Sequence, residues 1–274
     1  MCGYFATGAS PAAAGTVCDL TAVASCSVTG LNTGLFYVNE VHPSGTGVID
    51  SFLRVQQKGY EAGFNTSGRP INLDQIDATN SKTDKNFTRD LLLTEVSTKD
   101  INGHLYREFF LDINEQNSNV GPLLTLDQLE IYVSNTASLT SYSNSNNQYQ
   151  ATKGNDEKGA LAGATKIFDL DTATSDNMVQ LTYSLLGKGS GSSDMTFYLD
   201  NDLFGSYKYV YLFSQFGDNK NVANKYESGA GFEEWFVKQG STTTQSSVPE
   251  PATLLLLGTG LVAAVRKRSR KSVA

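Results

Sequence analysis

Hydrophobic and polar side chains alternate along much of the chain with a period of two. Val179, Leu181, Tyr183 and Leu185 alternate with Gln180, Thr182 and Ser184, and Met195, Phe197 and Leu199 do the same within DMTFYLD. In SYKYVYLFSQF, Tyr207, Tyr209, Tyr211 and Phe213 fall on one face and Lys208, Val210 and Leu212 on the other. Successive side chains of a strand point to opposite faces, so this alternation predicts strands that turn one face to a core. Residues 34–41, 47–56, 87–96, 104–114 and 127–133 extend the series. Clusters of Gly, Asn, Asp and Ser between them supply turn geometry. No long stretch sustains a helical period. Short strands at roughly even spacing with polar turns predict an all-β fold, an antiparallel β-sandwich of jelly-roll type, with a closed barrel as the alternative.

The same pattern divides the chain. Residues 1–30 read as an irregular leader segment and 31–239 as the β-sandwich ectodomain. Within it the polar stretch 134–161 reads as a long loop. GSTTTQSS, residues 240–247, has no apolar side chain and reads as a flexible linker. Residues 248–274 form a separate C-terminal unit, predicted to be a short hydrophobic helix with a basic tail.

Charge sharpens this division. The formal net charge of the 274-residue chain is -7. Arg266, Lys267, Arg268, Arg270 and Lys271 supply five positive charges, so residues 1–265 carry -12. A body that acidic repels phosphate backbones, which argues against nucleic acid as a partner. Charged residues are only 18% of the chain, and a Tyr- and Phe-rich, turn-rich chain of this kind fits a β protein outside the cytoplasm.

Candidate chemistry is sparse. The three cysteines, Cys2, Cys18 and Cys26, have no CxxC spacing and no histidine nearby, so no zinc site is expected. Cys18 and Cys26 could form a disulfide in an oxidising compartment, or remain free thiols. His104 has Asp100, Glu108 and Asp112 within reach in sequence, but no GxSxG elbow accompanies it. A surface position at a strand edge is the expected role for His104. Glu233 and Glu234 sit beside Trp235, yet adjacent strand residues point to opposite faces, which does not suit a facing carboxylate pair. Trp235 is a candidate for core packing. Asp112, Asn114 and Glu115, and Asp169, Asp171 and Asp176, form oxygen-rich clusters of the kind that hold weak extracellular calcium. Neither has EF-hand spacing, and solvated turns are the expected reading. No catalytic residue, metal site or cofactor is assigned, and the body is not expected to be an enzyme.

The C-terminus carries the most specific signal. Pro249, Glu250 and Pro251 precede 14 uncharged residues, Ala252 to Val265, and the basic cluster follows at once. As a helix this run spans roughly 21 Å, whereas a hydrocarbon core of about 30 Å needs around 20 apolar residues. Leu254, Leu255, Leu256, Leu257, Leu261, Val262 and Val265 supply the apolar surface for a marginal membrane segment. Arg266, Lys267, Arg268, Arg270 and Lys271 favour the cytoplasmic side and so place the body outside. VPEPATLLLLGTGLVAAVRKRSRK closely resembles the PEP-CTERM sorting signal of Gram-negative bacteria, with Val248, Pro249, Glu250 and Pro251 on the sorting motif. The resemblance implies recognition by an exosortase, a membrane-embedded cysteine transpeptidase that cuts near the motif. It also implies an N-terminal signal peptide. MCGYFATGASPAAAGTVCDLTAVASCSV has no Lys or Arg and no long apolar run, so a leader upstream of this sequence is expected. GTGVIDSFLRVQ, EAGFNTSGRP, FTRDLLLTEV, FFLDINE, YVYLFSQFG and GFEEWFVK resemble segments of uncharacterised PEP-CTERM surface proteins.

The expectation is therefore an exported cell-surface or extracellular-matrix protein, of the kind associated with exopolysaccharide and biofilm. It would be anchored transiently in the inner membrane through the C-terminal helix before surface or extracellular placement. Exosortase is its expected partner. A polysaccharide-binding β-sandwich, with extracellular polysaccharide as a further partner, and a secreted hydrolase are the alternatives.

Overall fold

The computed structural model describes residues 15–41, 49–56, 58–59, 61–68, 87–114, 123–144, 159–171, 175–183, 193–217, 226–229 and 231–238. The predicted C-terminal helix and the linker lie outside the described residues. In chain order the strands are β1 (Val17–Asp19), β2 (Ser25–Thr29), β3 (Thr33–Val41), β4 (Ile49–Val55), β5 (Lys58–Gly59), β6 (Glu61–Phe64), β7 (Leu91–Leu92), β8 (Thr98–Ile101) and β9 (His104–Asp112). There follow β10 (Leu123–Ser134), β11 (Tyr142–Asn144), β12 (Gly159–Leu161), β13 (Thr165–Asp169), β14 (Met178–Thr182), β15 (Ser193–Asp200), β16 (Tyr209–Phe216), β17 (Ser228–Gly229) and β18 (Glu233–Lys238).

Two mostly antiparallel sheets build the body. One runs β2-β3-β15-β9-β18-β4, with β8 also on β9; the other runs β1-β14-β10-β16-β6, with β13 also on β10 and β7 on β16. Eight of these strands define the roll: β4, β6, β9, β10, β14, β15, β16 and β18. The first pairs with the last (β4 with β18), the second with the seventh (β6 with β16), the third with the sixth (β9 with β15) and the two middle ones with each other (β10 with β14). This nesting of pairs is the jelly-roll arrangement, and it answers the sandwich-or-barrel question in favour of the sandwich.

The period-two pattern explains the packing. Phe109, Leu111, Met195, Phe197, Leu199 and Trp235 of one sheet meet Leu129, Ile131, Val133, Val179, Val210 and Leu212 of the other in one core. Trp235 is fully buried, and its indole N–H crosses the sandwich to donate to Ser214 Oγ at 3.1 Å. Buried indole N–H groups need such a partner. Gly34 leaves room for aromatic rings, since a Cβ there would lie 2.7 Å from Phe197 and 2.9 Å from Phe168. The β8–β9 turn places Asn102 at φ 58° and Gly103 at φ 84°, the left-handed pair that a two-residue hairpin turn demands.

Three sequence expectations need correction. The sandwich begins before residue 31: β1 pairs in parallel with β14, and β2 pairs with β3. These strands, VCD and SCSVT, are short, so they carry little periodic signal. Residues 87–96 are not one strand, because only Leu91–Leu92 pair and Leu93–Glu95 form a 3₁₀ turn. Glu95 Oε2 accepts the Leu92 N–H at 2.6 Å and an Arg89 N–H at 3.2 Å, which closes the turn locally. The stretch 134–161 is not only loop, since its two ends pair as β11 and β12. Tyr142 supplies the reason: its ring stacks on Phe213 with centroids 4.5 Å apart, and on Phe64 at 6.0 Å.

Candidate functional site

The outer face of the β10–β16 sheet carries a second hydrophobic cluster, built from Ala62, Phe64, Tyr132, Tyr142, Leu161, Tyr211 and Phe213. Glu130 sits among these residues on β10 with no solvent exposure. Its Oε2 accepts the phenol of Tyr132 at 2.5 Å and that of Tyr142 at 2.9 Å, and its Oε1 receives Lys166 Nζ at 2.5 Å. Lys166 also reaches Asp169 Oδ2 at 2.7 Å. Burial, seconded by the charge of Asp169, pushes the Glu130 carboxyl up to about 7 against the pull of Lys166. Burial and the neighbouring carboxylate hold the Tyr132 phenol well above its usual range. For Lys166 burial works downward, but Glu130 and Asp169 outweigh it and leave the ammonium above its ordinary value. Both Glu130 oxygens are occupied by donors from β10, β11 and β13. The network fastens the β11–β12 hairpin to the sheet.

A second group of carboxylates lies on the other sheet. Asp112 of β9 faces Glu234 of β18, which in turn faces Arg54 of β4. Asp194 of β15 is close enough for the Asp112 charge to act on it. Burial, with Asp112 adding to it, pushes Asp194 up to about 7, while the Ile113 N–H at 2.8 Å opposes the shift. Ser51 donates its hydroxyl to Glu234. The Arg54 guanidinium stacks between Phe87 and Phe232, 3.8 and 4.2 Å from the ring centroids.

The remaining sequence candidates fall at separate places. His104 is exposed at the start of β9, and its Nε2 pairs with Asp200 Oδ2 at 2.9 Å. Of the three acids near it in sequence none is its partner: Asp100 Oδ1 takes the Gly103 N–H, Glu108 takes Ser97 and Lys238, and Asp112 lies at the far end of the strand. Strand pairing places Asp200 of β15 beside β9, a neighbour that sequence distance hides. Glu233 is buried on the Trp235 side of β18 and Glu234 is partly exposed, as alternation requires. Within 169–177 some of the oxygens bond to the loop itself. Asp171 Oδ1 accepts the Asn177 N–H at 2.6 Å, Asp169 Oδ1 the Asp171 N–H at 3.2 Å, and Asn177 Nδ2 donates to the Leu170 carbonyl at 2.6 Å. Glu115 lies outside the described residues. Among the described residues no group of three or more His, Cys, Asp or Glu is placed to hold a metal ion.

Cys18 and Cys26 are joined by a disulfide, with Cα atoms 6.0 Å apart. Because β1 belongs to one sheet and β2 to the other, this bond clips the two layers together along one side. Asn65, which lies in a glycosylation-type tripeptide, is fully buried. It accepts the Leu212 N–H at 2.6 Å and donates to the Arg89 and Val210 carbonyls at 3.1 Å. Beyond alternation nothing in the sequence points to the Glu130 network, since Tyr142 lies in the stretch read as a loop and Lys166 in a segment with no strand expected.

Body and tail together define a class: a jelly-roll domain bearing a C-terminal sorting segment. The sorting residues Val248 to Pro251, the apolar run and the basic cluster lie outside the described residues, and their identification rests on sequence. Residues 247–271 match the family model of the PEP-CTERM protein-sorting motif. Comparison with curated proteins and with solved structures yields no match. The chain thus carries a PEP-CTERM sorting motif, and that signal implies export, C-terminal membrane anchoring and processing by an exosortase before surface or extracellular placement. Among the described residues no helix is long and apolar enough to cross a membrane.

Proposed function

We propose that the body is a non-catalytic structural domain of the cell surface or extracellular matrix, delivered there by its PEP-CTERM tail. The observation that carries this reading is the sorting motif at 247–271 joined to an otherwise acidic jelly roll. The use of reactive side chains supports it. Glu130, Lys166 and Asp169 bind one another across three strands, Glu108 holds Ser97 and Lys238, and His104 spends its ring nitrogen on Asp200. These bonds serve the architecture. Rings that would make a polysaccharide platform, Tyr211, Phe213 and Trp235, are buried, so the reading gives the body a packing role in preference to a stacking one.

The test compares wild type with Glu250→Ala and with a deletion of residues 249–274. Both variants should keep the β-type circular dichroism of the body; Glu250→Ala should stay untrimmed and cell-associated, and the deletion, which lacks the sorting segment, should fail to reach the wild-type location. Protease added to intact cells should digest the body of the wild type. Trimming of Glu250→Ala to the wild-type size, or a deletion variant found at the wild-type location, would overturn the sorting reading, and a body shielded from added protease would overturn the surface role.

A further inference from the structure

We propose that the side of the sandwich formed by β1 and β2 is a self-association surface, through which two copies pair edge to edge. The inference goes beyond sorting and stands or falls without it. Among the described residues β1 and β2 are the terminal strands of their sheets. An edge strand presents unpaired N–H and C=O groups, and proteins usually blunt it with lysine, proline or a covering segment. β2 holds neither lysine nor proline, and among the described residues no strand pairs with its outer side. Its sequence is SCSVT, and Ser25, Ser27 and Thr29 are exposed.

Three further observations point to the same side. Val17, Val23 and Leu31, exposed by 50, 48 and 52%, lie along this stretch and form most of the large exposed apolar side chains among the described residues. From Gly15 to Asn39 the sequence holds one charged side chain, Asp19. That carboxylate is turned onto its own loop, where Oδ1 accepts the N–H of Thr21 at 3.0 Å and its hydroxyl at 2.5 Å. The disulfide Cys18–Cys26 holds both edges in a fixed relation, so little ordering is lost on pairing.

Charge selects the occupant. Residues 1–265 carry -12, so two copies repel across most of their surfaces and approach at least cost where charge is absent. A second copy offers the same neutral edge and the same apolar side chains. Antiparallel pairing of β2 with its counterpart is self-complementary, as a two-fold contact requires, and centres on Ser27 facing Ser27 of the second copy. It would extend the β2-β3-β15-β9-β18-β4 sheet across the contact. Five residues of ladder make a weak contact in solution. Display at a surface, where neighbouring copies are concentrated, would strengthen it.

The test uses the full chain in detergent micelles, over a concentration series, with mass read by light scattering and edge pairing by amide hydrogen exchange. Wild type should rise from monomer to dimer, with exchange at residues 25–29 slowing as concentration rises. The double variant Ser25→Lys, Ser27→Lys should stay monomeric at every concentration with unchanged circular dichroism. Thr94→Lys, an exposed position on the 3₁₀ turn, should behave as wild type. Wild type that stays monomeric would overturn the proposal, as would a dimer that persists in the lysine variant. Should the lysine variant misfold, the wild-type exchange data still decide: rates at 25–29 that do not depend on concentration contradict the pairing.

Discussion

Asp194 shows how one buried side chain sets the pH response of the body. Its carboxyl has an ordinary value of 3.8 in the unfolded chain and is held near 7 in the folded one. Between these limits the folded protein keeps a proton that the unfolded chain has lost. The contribution to stability is therefore complete below the lower value and is lost as pH rises through the upper one. Glu130, also raised to about 7 by burial, acts in the same sense. The body should consequently be more stable near pH 5 than near pH 8. Asp194→Asn keeps an oxygen for the Ile113 N–H but cannot ionise, so it should remove part of this slope, at most about 4 kcal/mol. Urea denaturation of wild type and variant at several pH values checks it. A variant with the wild-type slope would show that Asp194 is not the titrating group.

At the scale of elements, the strands that were legible in sequence are those with one face in the main core. β9, β15 and β16 put Phe109, Leu111, Phe197, Leu199, Val210 and Leu212 into the main core at every second position. β10 was harder to bound. It runs from Leu123 to Ser134, beyond the 127–133 expected, since its outer side carries the buried Gln128, Glu130 and Tyr132. Short strands, β1, β2, β11 and β12, hold too few residues for a period to show, and long-range partners define them. The His104 partner was missed for the same reason: Asp200 reaches it through strand register, which sequence proximity does not report.

The β1–β2 clip makes this physical dependence measurable. Cys26 follows Cys18 at a sequence separation of 8, and closing so short a loop is worth about 2–3 kcal/mol by the chain-entropy relation. The double variant Cys18→Ser, Cys26→Ser should therefore lower the unfolding free energy by that amount, read as a lower urea midpoint, and reductant should shift wild type toward it. A midpoint unmoved by both treatments would mean that the bond adds nothing to the docking of β1 and β2.

For the whole molecule, architecture and address are encoded differently. The jelly roll emerges from many weak alternations, none decisive alone, that agree on one nesting of strand pairs. The address is local: the Pro-Glu-Pro motif, an uncharged run and a basic end read in order, and residues 247–271 match the sorting model without reference to the body. That is why destination was legible where detailed role was not. A run of 14 residues from Ala252 to Val265 is short for a lasting anchor, and suits a segment that is held, cut and left behind. Intact-mass measurement of the protein recovered from the cell exterior tests this most directly. The account predicts a species cut near Pro249–Pro251 that lacks the apolar run and Arg266 to Lys271. An exterior species whose mass retains the complete C-terminus, through Ala274, would contradict it.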